Sequence, residues 1–228
     1  MEKDIIKIKK GKGKREKRGK RHYLDKRCFP YFLLLTFNFL IFTDAFAATE
    51  AVQNIQSTYQ STSDLTADFT QSTYVAILEK TMKEPGKFMM KKPGMLRIEY
   101  TGAHPKQYIS DGKKLWVIEP ELHQYEVYKL SDESVPSEAL EFLKGFGEME
   151  RLFEIAPWQP AFLTPGNTYL RLAPKGGNAQ YKWLDCEFGP GNILKTIAIH
   201  NKSGNISTYV FSNIKLNTGL DDKLFKWK

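Results

Sequence analysis

The sequence is poor in the side chains that bind metals or form disulfides. It has two cysteines and four histidines in 228 residues, and no two of them stand at metal-ligand spacing. His104, His123 and His200 each lie in or beside a predicted turn. If the N-terminal segment that contains Cys28 is removed on export, the exported chain has no disulfide. The pattern predicts no metal site and no cofactor.

The sequence also lacks the motifs of common catalytic sites. It contains no G-x-S-x-G elbow, no P-loop and no dinucleotide-binding fingerprint, and Gly189-Pro190-Gly191 is typical of a turn. Glutamates are frequent between residues 138 and 154. They fall on the polar side of a predicted helical segment, where a solvated face is expected rather than an acid–base pair. We therefore expect no catalytic residues and no enzyme activity.

Positive charge is concentrated at the N-terminus. The formal net charge is +8, and residues 1–27 hold thirteen Lys or Arg against four Asp or Glu. Residues 28–47 add only Asp44, and residues 48–228 hold twenty-one basic and twenty-one acidic side chains. A nucleic-acid-binding domain carries its positive charge in the folded part of the chain. The distribution therefore argues against nucleic acid as a partner.

The first 47 residues have the order of a secretory signal. A basic n-region (1–27) precedes an apolar h-region (28–42), and small residues follow at Ala45-Phe46-Ala47. The apolar stretch is shorter than the roughly 20 residues that span a bilayer. We predict cleavage near Ala47 and export of residues 48–228 as a single domain, free in solution. The alternatives are an uncleaved membrane anchor and a basic arm that binds nucleic acid.

Hydrophobic periodicity predicts one helix followed by strands. Apolar or aromatic residues fall at helical spacing between residues 48 and 60, at Ala51, Val52, Ile55 and Tyr59. From Leu65 the period becomes two, and the strand pattern extends through Ile77. Further segments rich in β-branched and aromatic residues are predicted as strands: 95–100, 107–109, 115–118 and 208–214.

Turn signals come at short intervals after the first strand. They are Glu84-Pro85-Gly86, Lys92-Pro93-Gly94, Asp111-Gly112, Glu119-Pro120, Pro165-Gly166, Gly176-Gly177, Gly189-Pro190-Gly191 and Ser203-Gly204-Asn205. Short connections join antiparallel neighbours, so the pattern predicts one large meander. Leu115 and Val117 face one side of it, and Trp116 and Ile118 the other. Since both sides are apolar, we expect the sheet to curl around something.

Residues 134–158 interrupt the strand pattern. Apolar residues recur at spacings of three and four, at Leu140, Leu143, Phe146, Met149 and Phe153. This spacing predicts two short helices hinged near Gly145 and Gly147, with their apolar side packed on the sheet.

Several segments, taken together in order, carry a resemblance to a known family. They are Leu65 to Gln71 (LTADFTQ), Lys92-Pro93-Gly94 with Arg97 and Tyr100, Ser110 to Lys113 with Leu115-Trp116, Gln124, Leu140 to Ile155 (LEFLKGFGEMERLFEI) and Leu224 to Trp227. With them the sequence resembles the LolA family of periplasmic outer-membrane lipoprotein carrier proteins. The resemblance covers roughly residues 50 to 228.

The resemblance implies a fold and a function. The fold is mainly β (α+β), a curled antiparallel sheet that forms an incomplete β-barrel with a helical lid over a hydrophobic cavity. The function is that of a periplasmic chaperone, a monomer that receives lipoprotein acyl chains from an inner-membrane transporter and passes them to an outer-membrane receptor. One alternative is a regulatory domain of the same fold that senses lipids or lipoproteins. Another, a lipid esterase, is argued against by the missing nucleophile motif.

The predicted cavity is lined by apolar residues on strands and on the lid. The strand residues are Phe69, Phe88, Leu96, Ile98, Ile109, Leu115 and Val117, and the lid residues are Leu140, Leu143, Phe146 and Phe153. Each of them could instead be ordinary core packing.

Two departures from the family pattern stand out. Better-known members have an arginine before the turn proline, bonding to the lid, where this chain has Lys92. Lys92 and Arg97 are therefore the candidates to fasten the lid. The chain ends at Lys228, where soluble carriers of the family usually continue through a proline-containing segment.

Overall fold

The computed structural model describes residues 49–130, 146–176 and 179–227. Helix α1 covers residues 49–61, and the short helix α2 covers Met149–Leu152. The strands are β1 (Asp64–Val75), β2 (Lys80–Lys91), β3 (Met95–Tyr100), β4 (Gln107–Asp111), β5 (Lys114–Glu119), β6 (Gln124–Lys129), β7 (Phe153–Pro157), β8 (Thr168–Pro174), β9 (Tyr181–Gly189), β10 (Ile193–Asn201) and β11 (Ile206–Leu216). Among these residues, no helix has the length and apolar character needed to cross a bilayer.

The strands form one antiparallel sheet with the order β6-β5-β4-β3-β2-β1-β11-β10-β9-β8-β7. Two runs of consecutive strands, β1 to β6 and β7 to β11, join where β1 pairs with β11. In the described part of the chain, β6 and β7 are the two ends of the sheet and do not pair with each other. The sheet is therefore not closed, and the predicted antiparallel meander and incomplete barrel are confirmed.

The register divides the strand residues between two faces of the sheet. Residues directly opposite each other in an antiparallel pair share a face, so Phe69, Gly86, Tyr100 and Phe211 lie on one side. We call this side the inner face and the other the outer face. As predicted, Leu115 and Val117 lie on a different face from Trp116.

The inner face is curled. Leu115 and Val117 near one end of the sheet belong to the same continuous buried core as Leu170 and Leu172 near the other. This core fills the inner side of the curled sheet.

Helix α1 lies against this inner face. Val52, Ile55 and Tyr59, at spacings of three and four, are 5%, 0% and 5% exposed and belong to the same core. The helix ends where the hydroxyls of Ser61 and Thr62 bond back to the Thr58 carbonyl oxygen, at 2.9 and 2.8 Å. The predicted N-terminal amphipathic helix is confirmed.

The predicted turn at Glu84-Pro85-Gly86 is wrong, because these residues lie inside β2. Proline is tolerated there because its backbone polar groups point away from β1, so its missing N–H breaks no bond of the β1–β2 pair. The Pro85 carbonyl accepts from the Thr101 N–H at 2.9 Å, and β3 pairs with β2 only from Gly86 onward. Glycine is required because a Cβ at Gly86 would lie 2.3 Å from the Phe69 ring. Tertiary packing thus explains both residues.

The predicted helices over residues 134–158 are only partly described. A 3-10 turn at Phe146–Glu148 leads into α2, and Leu140 and Leu143 lie outside the described residues. The prediction that Phe153 is on a lid helix is wrong, because it begins β7 opposite Pro174 of β8. The predicted first strand also runs too far, since Ile77 lies in a 3-10 turn beyond Val75.

Candidate functional site

The inner face gathers most of the strand residues predicted to line a cavity. All of the following are buried there, between 0% and 6% exposed: Phe69, Phe88, Leu96, Ile98, Leu115 and Val117. They belong to one contiguous apolar core that includes α1. Their contact with an acyl chain stays a prediction.

Ile109 does not belong to this group, and its assignment to the cavity is wrong. It lies opposite Arg97 and Trp116, so it faces the outer side. The C-terminal 3-10 turn Asp222–Phe225 lies against β3 and β4, and Ile109 and Phe225 are both 0% exposed. Three consecutive residues of the short strand β4 are buried, so the sequence pattern could not show which of them faces the inner side.

The half of the inner face that β8 to β11 supply was not predicted from the sequence. These residues are Leu170, Leu172, Leu184, Cys186, Phe188, Leu194, Ile197, Ile199, Tyr209 and Phe211. Apolar residues two positions apart, at Leu170 and Leu172 and at Ile197 and Ile199, could have indicated strands with one buried face.

Aromatic rings occupy the middle of the inner face. The Phe69 ring lies 5.3 Å from Tyr100, edge to face, and 5.6 Å from Tyr209. The Tyr100 and Tyr209 hydroxyl oxygens are 3.2 Å apart and share a hydrogen bond. Such ring pairs stabilise a core beyond the area they bury, so this region is a rigid apolar floor.

The inner face becomes polar toward the connection between β1 and β2. Gln71 Nε2 donates to Thr73 Oγ1 at 2.8 Å, and the Thr73 hydroxyl lies 3.3 Å from that of Ser207. Gln71 Oε1 is buried and, within the described ranges, accepts no hydrogen bond. This end of the face is therefore polar, whereas the middle is formed mainly by aromatic rings.

Lys92 fastens the C-terminal end of α1 to the sheet. Its Nζ donates to the carbonyl oxygens of Tyr59 at 2.5 Å and Gln60 at 2.9 Å, where the carbonyls of the last helical turn lack intrahelical partners. Desolvation on burial lowers the Lys92 pKa. A single ammonium reaches both carbonyls, so this helix end does not need the forked guanidinium of arginine.

Tyr59 provides a second attachment for the same helix. Its hydroxyl oxygen accepts from the Leu194 N–H at 2.9 Å, at the start of β10. Burial raises the Tyr59 pKa to about 12, although the Leu194 bond acts in the opposite direction. The side chain is therefore neutral at physiological pH, and α1 connects the two halves of the sheet.

Among the described residues, Arg97 makes no hydrogen bond to α1 or to residues 146–152, and its role in fastening the lid is not proposed further. It lies on the outer face opposite Ile109, where its Nε donates to Glu99 Oε1 at 2.7 Å and its Nη1 to the Leu224 carbonyl oxygen at 2.9 Å. Arg97 instead holds the C-terminal segment in place.

Hydrogen bonds join α1 to the segment before β7. Gln56 Nε2 donates to Glu150 Oε2 at 3.0 Å, and the Glu150 N–H donates to Gln56 Oε1 at 3.1 Å. Gln60 Nε2 donates to the Gly147 carbonyl oxygen at 2.8 Å. These contacts are exposed and polar, so they can be exchanged for water at little cost.

The outer face carries a polar cluster around Asp185, which is 3% exposed. Arg171 donates to both carboxylate oxygens at 2.6 and 2.8 Å, and His200 Nε2 lies 2.9 Å from Oδ2. Trp183 stacks on His200. Desolvation lowers the His200 pKa although Asp185 acts to raise it. Because each group is satisfied by its neighbours, the cluster is structural and cross-links β8, β9 and β10.

The geometry defines a class of protein: an open, curled antiparallel sheet whose apolar face is covered by an amphipathic helix, packed on it through apolar side chains and fastened by hydrogen bonds near its C-terminal end. The family model described as outer membrane lipoprotein carrier protein LolA matches residues 60–228. The chain belongs to this family.

The chain is similar to known proteins at modest identity. The chain is 24% identical to the outer-membrane lipoprotein carrier protein of Methylobacillus flagellatus over 78% of its own length and 84% of that relative. It is 26% identical to the protein of the same description from Dechloromonas aromatica, over 78% and 83%. A solved LolA superfamily protein from Nitrosomonas europaea is similar with a TM-score of 0.43 and 13% identity, over 79% of this chain and 97% of that one.

Proposed function

We propose that this protein is a periplasmic carrier that binds lipoprotein acyl chains against the inner face and ferries them from the inner to the outer membrane. The observation that carries the proposal is the continuous apolar inner face under α1. Family membership supports it. The protein acts by binding and not by catalysis, so incubation with a model ester should give no hydrolysis.

The physical need for such a face follows from the ligand. Each CH₂ group transferred out of water is worth about 0.8 kcal/mol, so a lipoprotein with long acyl chains does not cross an aqueous compartment unaided. An apolar face binds such chains with affinity but without strict selectivity. The proposed contact residues are those predicted from the sequence, without Ile109 and Phe153: Phe69, Phe88, Leu96, Ile98, Leu115 and Val117, with Leu140, Leu143 and Phe146 as the lid.

Loading requires the helical cover to move. The cover is held by noncovalent bonds such as those from Lys92 to α1 and from Gln60 to Gly147. A ligand or partner that binds the open form better shifts the population toward it. The proposed partners are an inner-membrane transporter that supplies the lipoprotein and an outer-membrane receptor that removes it.

The proposal places the protein in the periplasm after removal of residues 1–47. N-terminal sequencing of the protein recovered from the periplasm should begin at Ala48. Recovery of a chain that begins at Met1 and fractionates with membranes would favour the anchor instead.

Native mass spectrometry of the exported protein tests the carrier function directly. We expect co-purifying acylated peptide or lipid, identified after extraction, and release of lipoprotein from spheroplasts when the protein is added. The double substitution Leu143→Glu and Phe146→Glu should lower the bound fraction. The matched control is Val210→Glu, because Val210 is 51% exposed on the sheet surface and should not affect it.

A different result would contradict the proposal. An exported protein that carries no acylated molecule and releases no lipoprotein from spheroplasts is not a carrier. The sensing alternative would then become the better hypothesis.

A further inference from the structure

The hairpin formed by β1 and β2 extends beyond its neighbour on one side. β2 pairs with β1 along its whole length, from Lys80 to Lys91, but with β3 only over Gly86 to Lys91. Thr101 and Gly102, just after β3, still flank Pro85 and Glu84, so the four residues Lys80 to Lys83 lie beyond this neighbour, a length of roughly 13 Å at the rise of a strand. We call residues 74–83 the hairpin tip.

The tip is firmly held on its other side. β11 pairs with β1 as far as Tyr74, opposite Ile206. The Ala76 N–H donates to Asn205 Oδ1 at 3.0 Å, which ties the 3-10 turn at the tip to the connection between β10 and β11. A supported hairpin presents its end residues in a fixed position.

Apolar side chains are exposed all around this tip. Ile77 is 90% and Leu78 66% exposed, and Tyr74 and Met82 just below them are 39% and 45% exposed. Tyr74 lies on the outer face and Met82, opposite Thr73, on the inner one. Single exposed apolar residues are common, but four grouped at one projecting end indicate a binding surface.

The charges beside these residues are mainly positive. Lys80 and Lys83 are exposed on β2, and Lys202 is exposed on the adjacent connection, against Glu79 within the tip. The connection is close, since a Cβ at Gly204 would lie 3.5 Å from the Ala76 Cβ. Three lysines around an aliphatic end complement a partner that has an apolar interior and anionic groups at its surface.

We propose that the hairpin tip inserts Ile77 and Leu78 into the interface of a lipid bilayer that contains anionic lipids. A stable protein interface buries about 800 Å² on each partner, more than four side chains on a convex turn supply. A bilayer accepts projecting aliphatic groups, while its phosphates attract the neighbouring lysines. This contact needs no protein receptor, and it goes beyond the carrier function because it is independent of acyl binding.

Flotation of the exported protein with protein-free vesicles tests the proposal. We expect binding to vesicles of phosphatidylethanolamine with phosphatidylglycerol, and weaker binding to vesicles of phosphatidylcholine alone. The double substitution Ile77→Glu and Leu78→Glu should weaken binding by about tenfold or more, since both side chains leave the apolar phase. The matched control is Phe162→Glu: Phe162 is also 90% exposed, but it lies between β7 and β8 at the opposite end of the strands.

A fluorescence measurement locates the contact. Cys186 is buried and is the one cysteine of residues 48–228, so in the exported protein an environment-sensitive dye labels an introduced cysteine. Dye on Ile77→Cys should shift to the blue with anionic vesicles, and dye on Phe162→Cys should not.

The proposal is overturned by no binding of the unmodified protein to any vesicle, by equal loss of binding in the Phe162→Glu control, or by a blue shift at position 162 alone. A requirement for a membrane protein in the vesicles would also overturn it, because the tip would then bind a protein. Acyl loading, measured without vesicles, should be unchanged in the tip variants, so failure here leaves the carrier function separately testable.

Discussion

The Asp64 carboxylate, buried at the start of β1, holds the segment that follows β11. It accepts hydrogen bonds from the Thr218 N–H at 2.7 Å, the Thr218 hydroxyl at 2.8 Å and the Gly219 N–H at 2.9 Å. Burial alone would raise the Asp64 pKa, but the bonds from Thr218, Gly219 and Leu220 together lower it. The ionised form is therefore the one that folding favours.

Asp64→Asn should destabilise the protein by about 2 to 3 kcal/mol, because the amide replaces one acceptor oxygen with a donor and leaves buried N–H groups unsatisfied. Urea unfolding at neutral pH measures the change. Asp68→Asn is the control on the same strand, since Asp68 is half-buried and accepts from the exposed side chain of Asn213. We expect it to cost about 0.5 kcal/mol or less.

Asp64→Asn should also change how the free energy of unfolding depends on pH in the acidic range. Because the folded pKa of Asp64 lies below its unfolded value of about 3.9, its contribution is present above that pH and is lost as pH falls through the folded pKa. Asp64→Asn should therefore flatten the stability profile below about pH 4. Parallel profiles for the two proteins would contradict this account.

At the scale of elements, the position of α1 depends on a few polar contacts at its C-terminal end. Lys92 follows β2 and is 32 residues or more from the helix carbonyls it contacts. Its charge also complements the negative end of the helix dipole. The apolar side chains of α1 thus pack the helix on the sheet, and the Lys92 ammonium aligns its C-terminal end.

Lys92→Met should weaken the attachment of α1 while preserving the length of the side chain. We expect a loss of about 1 kcal/mol in urea unfolding and faster hydrogen exchange in residues 49–61 than in the sheet. Lys92→Arg should retain most of the stability, and Lys87→Met on the exposed side of β2 serves as the control. Equal exchange in α1 and the sheet for Lys92→Met would show that Lys92 does not hold the helix.

At the scale of the whole molecule, carrier function requires the cover over the inner face to open. Gln60 of α1 lies close to Gly147: a Cβ at Gly147 would lie 4.0 Å from the Gln60 Cα and 3.5 Å from its Cγ. This proximity is within the range that a disulfide bridges. The pair therefore offers a reversible lock between the helix and the segment before β7.

The double substitution Gln60→Cys and Gly147→Cys should block loading when oxidised. We expect uptake of an acylated peptide to fall by about tenfold or more, because the open population becomes negligible, and to recover after reduction with dithiothreitol. Gln60→Cys alone is the control, and intact mass confirms the bond. Undiminished uptake by the locked form would show that this part of the cover does not move.

The sequence by itself determined the fold class and much of the inner face. Alternation from Leu65 to Phe69 and along residues 95–100 specified strands because one side of each is buried and the other is not. Val52, Ile55 and Tyr59 recur at helical spacing because one side of α1 is buried and the other is not, and this spacing specified the helix. Order of motifs along the chain was enough to indicate the family.

Only the tertiary structure decided which buried residue faces which side. Ile109 and its neighbours in β4 are all buried, so their alternation carries no information until the register and the C-terminal segment are known. Glu84-Pro85-Gly86 has the composition of a turn, yet it lies within β2 because the Phe69 ring crosses over Gly86. Such assignments depend on contacts between residues far apart in the chain, which local patterns do not encode.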